Sequence, residues 1–395
     1  MSYAPFDVMG QFSGVAGDVR DPYPDFHALR KDSPVAINGD GHWEVYSYDL
    51  VSQVMRDNQS FPSGSIRELM SVVMGPYPLV GMDEPEHGRL RSLVAQGFRQ
   101  KSLAHWDADL VGPVVDEMID GFAERGSAEL VEEFTYRYPA MVIAEVLGLP
   151  REDHPFFHPR ALAVINVSVR PDEGIIASEE LRDYFEGIID ERRAHPGTDI
   201  ISELTQAELD GERLGDEEIL SFLRLLLPAG AETTYRATGS FLFGLLSNPE
   251  QFAKLRDDRS LMPTAIEESI RWEPPLLITS RECVRETQVG DVTVKVGEMI
   301  TVNVGSANHE PTRWNNPDSF DIFRDLVPHI SFGVGVHMCL GMHLARMEMA
   351  TAVNRLLERC PNLRPDPDRW DADDVHIHGQ RFRSPTTLPV IFDAP

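Results

Sequence analysis

The sequence predicts a mainly α-helical protein with small β-sheets at one side, and three observations predict it. Apolar positions recur every three to four residues through most of 103–194 and again through 216–246 and 262–272, the period of helices with a buried face. Strand-like runs are short, at 34–37 with 42–48, at 292–304, where the apolar residues alternate, and at 387–392. At 395 residues and 42% hydrophobic content, the chain can bury a large core; length alone would suggest two or three domains.

Acidic residues outnumber basic ones 64 to 36, a net charge of −28 that argues against nucleic acid or an anionic membrane as partner. No window reaches the roughly 20 apolar residues of a membrane span, and residues 1–20 lack an apolar run. The expectation is a soluble, unexported protein of the cytoplasm. Cys283, Cys339 and Cys360 are too few and too scattered for a disulfide framework or a paired-cysteine zinc site.

In chain order, caps place a short helix at 25–31, and the strand-like runs around Asn38-Gly39-Asp40-Gly41 read as a hairpin. A helix follows at 48–57. The segment 61–80, interrupted by Ser, Gly and Pro, reads as a mobile connection. Asp83-Glu84-Pro85-Glu86-His87 starts the next helix, with acids and Pro in its first turn. His87 and Arg91 stand at i and i+4, so they share a face that could address an anion; taken alone, a solvated basic face is the better reading.

Helices are expected at 106–125, 131–147 and 172–194, with a short strand at 126–130 and a Pro- and His-rich break at 152–159. Pro155 and Pro159 directly follow His154 and His158, which disfavours a continuous helix and a metal site there. The stretch 216–246 is the longest helix, apolar on several faces, yet its middle breaks helix rules at Pro228, Gly230 and Glu232-Thr233-Thr234. Local rule-breaking in a central helix marks a candidate site. A helix at 262–272 carries Glu268 and Arg271 at i and i+3; residues 276–281 should be extended after Pro274-Pro275, 292–304 should fold as a hairpin turning at Gly297-Glu298, and 387–392 should be the last strand.

The loop Phe332-Gly333-Val334-Gly335-Val336-His337-Met338-Cys339-Leu340-Gly341 leads into a helix at 342–358. Its glycines permit positive φ and close approach, and a helix N-terminus favours an anion, so the loop describes a seat for a thiolate beside a flat ligand. Such a soft donor suits iron or another soft metal.

Phe332-x-x-Gly335-x-His337-x-Cys339-x-Gly341 resembles the haem-ligating signature of the cytochrome P450 superfamily. Four more segments match in the family's order: His87-x-x-x-Arg91, Ala229-Gly230-Ala231-Glu232-Thr233-Thr234, Glu268-x-x-Arg271 and Arg324. The resemblance implies one catalytic domain over 1–395 with an N-terminal extension at 1–20, and haem b (iron protoporphyrin IX) as cofactor with Cys339 as the metal ligand. By family position, His87, Arg91, Arg281 and His337 hold the propionates, and Ala229, Gly230, Phe332, Gly333 and Gly341 complete the cofactor site. Glu232 and Thr233 are the catalytic acid–alcohol pair that delivers protons, with Glu where many relatives have Asp. Glu268, Arg271 and Arg324 form a structural triad.

The activity implied is a monooxygenase that uses O2 to hydroxylate a lipophilic small molecule, fed by a separate ferredoxin-type electron donor; the chain would be a monomer with no membrane anchor and no nucleic acid. Substrate contacts by family position are 63–80, 161–169, Leu225, Ala229, Leu276, Leu277, Thr279 and Phe382, with Arg346 the cation for donor docking. Arg381 and Arg383 hold a substrate carboxylate or, the preferred reading, lie on a surface. The rivals are peroxide-driven or non-hydroxylating oxidation, such as C–C coupling or epoxidation, and a haem-binding sensor.

Overall fold

Residues 19–98, 106–167, 170–371 and 373–394 are described by the computed structural model. The expected extension up to residue 18, the run 103–105, and Ser168 and Val169 of one substrate segment lie outside them.

The architecture is mainly helical with small sheets, as expected. Helices Tyr138–Val146, His154–Ile165, Pro171–Ala194, Thr233–Ser247 and Met342–Arg359 surround a large core that includes Phe134, Tyr138, Ile143, Leu220, Leu223, Phe241 and Val353. The axis of that core is one nearly continuous helical run, Asp216–Leu227 then a wide π-type turn Pro228–Glu232 then Thr233–Ser247. Pro228 lacks the N–H that an unbroken helix needs, and the wide turn absorbs the defect.

A four-stranded sheet orders Val35–Ile37, Trp43–Val45, Met299–Asn303 and Ile278–Glu282, with the middle pair parallel. It packs with helix Tyr48–Arg56 into a second, smaller core of Val45, Val51, Val54, Ile300, Val302 and Ile330. A separate three-stranded sheet, Arg364–Pro365, Pro389–Ile391 and Ser127–Glu129, contributes Ala128 and Val390 to the large core instead. The two sheets therefore pack against different cores.

Three expectations are corrected. The segment 61–80 is not an unstructured connection: it holds helix Arg67–Met74 between short 3₁₀ turns. Val73 and Met74 are buried there while Leu69 is 68% exposed, a one-sided helix too short for its period to stand out. Gly75 ends it at φ +87°.

The Pro- and His-rich stretch also joins a helix, His154–Ile165, with Pro155 in the first turn, where its missing N–H costs little. Pro159 does sit inside, and the burial of Phe157, Ala161 and Val164 outweighs the lost bond. The His154 and His158 rings lie 5.1 Å apart, and burial followed by the field of His154 depresses His158 to about 4.

The hairpin expected over 292–304 does not form. Val292–Val294 pairs with Thr287–Val289, while Met299–Asn303 lies between Trp43–Val45 and Ile278–Glu282. Alternation identifies strands but not partners, because pairing is set by which faces can be buried together. Helices Ile200–Gln206 and Pro249–Asp257 were also unforeseen, although Asp199 caps the first and Pro249 opens the second.

Candidate functional site

The Cys339 loop is held by its own backbone. Cys339 N–H donates to the Phe332 carbonyl at 2.8 Å, and Gly333 N–H to the Ile330 carbonyl at 2.9 Å. Gly333 and Gly335 have φ of +72° and +82°, and a Cβ at Gly335 would sit 2.9 Å from the Met55 carbonyl oxygen, so glycine is required by both torsion and space. Gly341 departs from the expected positive φ: it caps helix Met342–Arg359 at φ −85°, and a Cβ there would meet no atom of the chain within 4 Å.

Cys339 is the exposed one of the three free cysteines. Enclosure by the loop raises its thiol pKa, while the Gly341 N–H, Arg91 and Arg346 pull the other way. One backbone N–H is aimed at the sulfur, as a thiolate seat requires, but burial outweighs it and the thiol is pushed up rather than down.

Four nitrogen-bearing side chains gather beside the loop. His87, from helix Glu86–Val94, lies against His337 with ring centroids 4.1 Å apart and the planes tilted by 40°. Arg91, one turn on, donates through Nη2 to the Met338 carbonyl. Arg281 projects from strand Ile278–Glu282 and donates only to Thr279 Oγ1 and the Ser280 carbonyl. Burial, then the fields of His87, Arg281 and Arg91, depress His337 to about 3. Burial also lowers Arg281.

The Nε2 atoms of His87 and His337 are buried without a hydrogen-bond partner, and no carboxylate lies within ion-pair distance of Arg91 or Arg281 among the described residues. Buried polar atoms are normally satisfied. This donor set fits a flat macrocycle that brings two carboxylates and a soft metal: unpartnered donors for the acids, a sulfur for the metal, and glycines that admit a plane.

Across the molecule's axis, the wide turn Pro228–Glu232 opens one face of a helix that is buried on both sides of it. Ala229 is exposed and Thr233 half-buried, one turn apart, and Thr233 Oγ1 donates to the Ala229 carbonyl at 2.9 Å. The back-bond occupies the hydroxyl proton but leaves the oxygen lone pairs available. Gly230 has a packing reason, since a Cβ there would lie 3.0 Å from Ile143 Cδ1.

Glu232, 8% exposed, pairs with Arg236 Nη2 at 3.2 Å. Burial raises its carboxyl pKa, and Arg236 then Arg381 oppose the rise. Arg236 was not singled out in the sequence, although its i+4 spacing from Glu232 was a legible signal.

The triad forms. Arg271 clasps Glu268 through Nε and Nη2 at 2.7 and 2.8 Å, Arg324 Nε reaches the same carboxylate at 3.1 Å, and Arg271 Nη1 donates to the carbonyls of Asn308 and Pro317. The pairing ties helix Met262–Trp272 to the segment leading into the Cys339 loop.

Several expected contacts move. Leu225 and Leu277 are core residues, the latter packed on Gly305, whereas Leu276, Thr279 and Phe382 are half-buried. Arg346 is not a free docking cation: it binds Glu267 with Nη2 at 2.9 Å and covers the Phe332 ring at 4.4 Å. Arg383 is not on a surface either; it is 0% exposed and paired with Glu273 at 2.8 Å.

The cytochrome P450 family model matches residues 173–376. The cytochrome P450 monooxygenase PikC of Streptomyces venezuelae is 34% identical over 366 residues, covering 88% of this chain and 85% of its own length. The vitamin D3 dihydroxylase of Streptomyces griseolus is 32% identical over 365 residues, covering 87% and 88%. The crystal structure of CYP109E1 from Bacillus megaterium in complex with testosterone superposes with a TM-score of 0.86 at 29% identity, over 94% of this chain and 99% of that one.

Proposed function

The chain belongs to the cytochrome P450 family, a family of haem-dependent oxidoreductases, and from that premise we propose that it hydroxylates a lipophilic small molecule, with Cys339 as the iron ligand and a separate ferredoxin as electron donor. One observation carries the reading: the unpartnered Nε2 atoms of His87 and His337 lie in the same cluster as Cys339, Arg91 and Arg281. Haem bound there would supply oxygen activation.

The residues of the chain divide the remaining work. His87, Arg91, Arg281 and His337 would hold the propionates of a bound haem. Gly341 N–H and the adjoining cations temper the Cys339 sulfur. Thr233 Oγ1 passes a proton toward the open face of the helix, and Glu232, kept in place by Arg236, replenishes it. The whole of 1–395 acts as one catalytic unit, since the matched motifs run in one order through it.

Half-buried Leu276 and Phe382 give the substrate an apolar wall. Relatives named for vitamin D3 and crystallised with testosterone make a body of steroid size a reasonable substrate class. The test is a reduced, CO-treated spectrum: the long-wavelength thiolate band is expected and should vanish in Cys339→Ala. Turnover with a ferredoxin and its reductase, but not with peroxide, is the companion result. A wild-type sample lacking the band would overturn the reading.

A further inference from the structure

We propose that Arg381 is the anchor for a carboxylate on the substrate, so that the substrate class is a lipophilic acid with an apolar body and one anionic head. The inference rests on the monooxygenase reading and deepens it.

Three arginines meet near the Leu276–Arg281 segment, and two are spoken for: Arg236 is paired with Glu232 at 3.2 Å, and Arg383 with Glu273 at 2.8 Å. Arg381 differs. Its side chain makes no hydrogen bond or ion pair among the described residues, and it is exposed, in a chain whose net charge is −28. Glu232 lies near enough to feel this cation but is paired with Arg236, so no carboxylate neutralises Arg381 directly among the described residues.

Its backbone is fixed, and its guanidinium lies 5.9 Å from the Phe382 ring with no ion-pair partner among the described residues. The Arg381 carbonyl accepts from Leu277 N–H at 2.7 Å, and Phe382 bridges Leu276 in an antiparallel pair. That clamp sets Arg381 beside the start of strand Ile278–Glu282, which carries Thr279 and Arg281, and the Arg236 guanidinium lies 5.4 Å from the neighbouring Phe382 ring. Its field reaches both Glu232 and Arg281, consistent with a position over the gap between the open helix face and the strand.

The neighbours that a ligand would touch first are Leu276 and Phe382, both half-buried and apolar. An apolar wall with a single planar cation at its edge matches an amphiphile bearing a carboxylate, because a guanidinium forms two parallel bonds to that group. Glu232 does not oppose such a head, since Arg236 already compensates it.

The experiment uses the full-length haem-loaded protein and follows the spectral shift on displacement of the iron's water. Dodecanoate and deoxycholate are titrated, each against its methyl ester. At least one acid should bind about tenfold more tightly than its ester, the scale of a partly desolvated charge-assisted bond. Arg381→Gln should erase that preference, Arg381→Lys retain most of it, and Arg381→Glu reverse it. Preference for dodecanoate alone would assign a flexible chain, and for deoxycholate alone a ring system; either supports the anchor.

Equal binding of acids and esters, acid preference that survives in Arg381→Gln, or no shift with any of the four compounds would overturn it. Each variant is first checked for the reduced CO band. A protein with the band but without the acid preference sinks the anchor alone; a wild type without the band sinks the monooxygenase reading as well.

Discussion

Around Glu268 every charge has a partner, whereas around Cys339 several buried nitrogens have none. The Glu268 carboxylate, 3% exposed, takes bonds from Arg271 and Arg324, and Arg271 spends its remaining donors on carbonyls of the 308–319 segment. A buried pair satisfied to this degree resists bending and fixes the path of the chain that follows. The Nε2 atoms of His87 and His337, by contrast, meet no hydrogen-bond partner, and among the described residues Arg281 donates only within its own strand. The difference teaches how to sort charged clusters in one fold: saturation marks a structural clasp, and unspent donors mark a place that binds.

The comparison breaks most easily at the clasp. Glu268→Ala should cost about 3–5 kcal/mol of stability, because it strands the buried Arg271 and the partly buried Arg324, and chemical denaturation of the haem-free protein measures it. A loss within experimental error would mean the triad is ornamental. Arg281→Gln is the matched change on the unsaturated side, and the opposite result is expected there. Stability of the haem-free protein should shift by no more than about 0.5 kcal/mol in either direction, while haem should transfer faster to an apo-globin acceptor. A large stability loss would show that Arg281 belongs to a clasp.

Thr233→Ala sharpens the other edge of the site. Oxygen consumption should persist while product per oxygen falls and peroxide appears; Thr233→Ser should restore coupling. Unchanged coupling would move the proton path away from the turn Pro228–Glu232.

The smallest effect concerns Glu267, which joins helix Met262–Trp272 to Arg346 and His329. Burial alone would raise its carboxyl, but hydrogen bonds from Arg346 and His329 bring it down to about 2 from an ordinary 4.5. A depressed carboxylate contributes stability fully above the ordinary value and loses it as pH falls through the folded one. The gap in melting temperature between wild type and Glu267→Gln should therefore be constant above about pH 4.5 and close as pH falls toward 2. A gap that stays flat across that window would mean the ion pair adds no stability.

Much of this was legible residue by residue. Helix 262–272 emerged with the bounds read from its period, and the kink at Pro228 was visible because Pro and Gly break rules that no environment relaxes cheaply. The Cys339 loop was legible because its glycines answer to local torsion and close approach, which a sequence records directly. Arg346 and Arg383 were misjudged for a different reason: an arginine looks the same on a surface and in a buried pair, and Glu267 and Glu273 are 79 and 110 residues away from them.

The sequence by itself determined the fold class, the glycine-bounded Cys339 loop and the order of the motifs, since each depends on periods, torsions and spacings written along the chain. Only the tertiary structure decided which strand follows which in the Met299–Asn303 sheet, which arginines are consumed by carboxylates, and that Arg381 is left over. Pairing is a competition among distant groups for burial and charge, and its outcome exists only once the chain has brought them together.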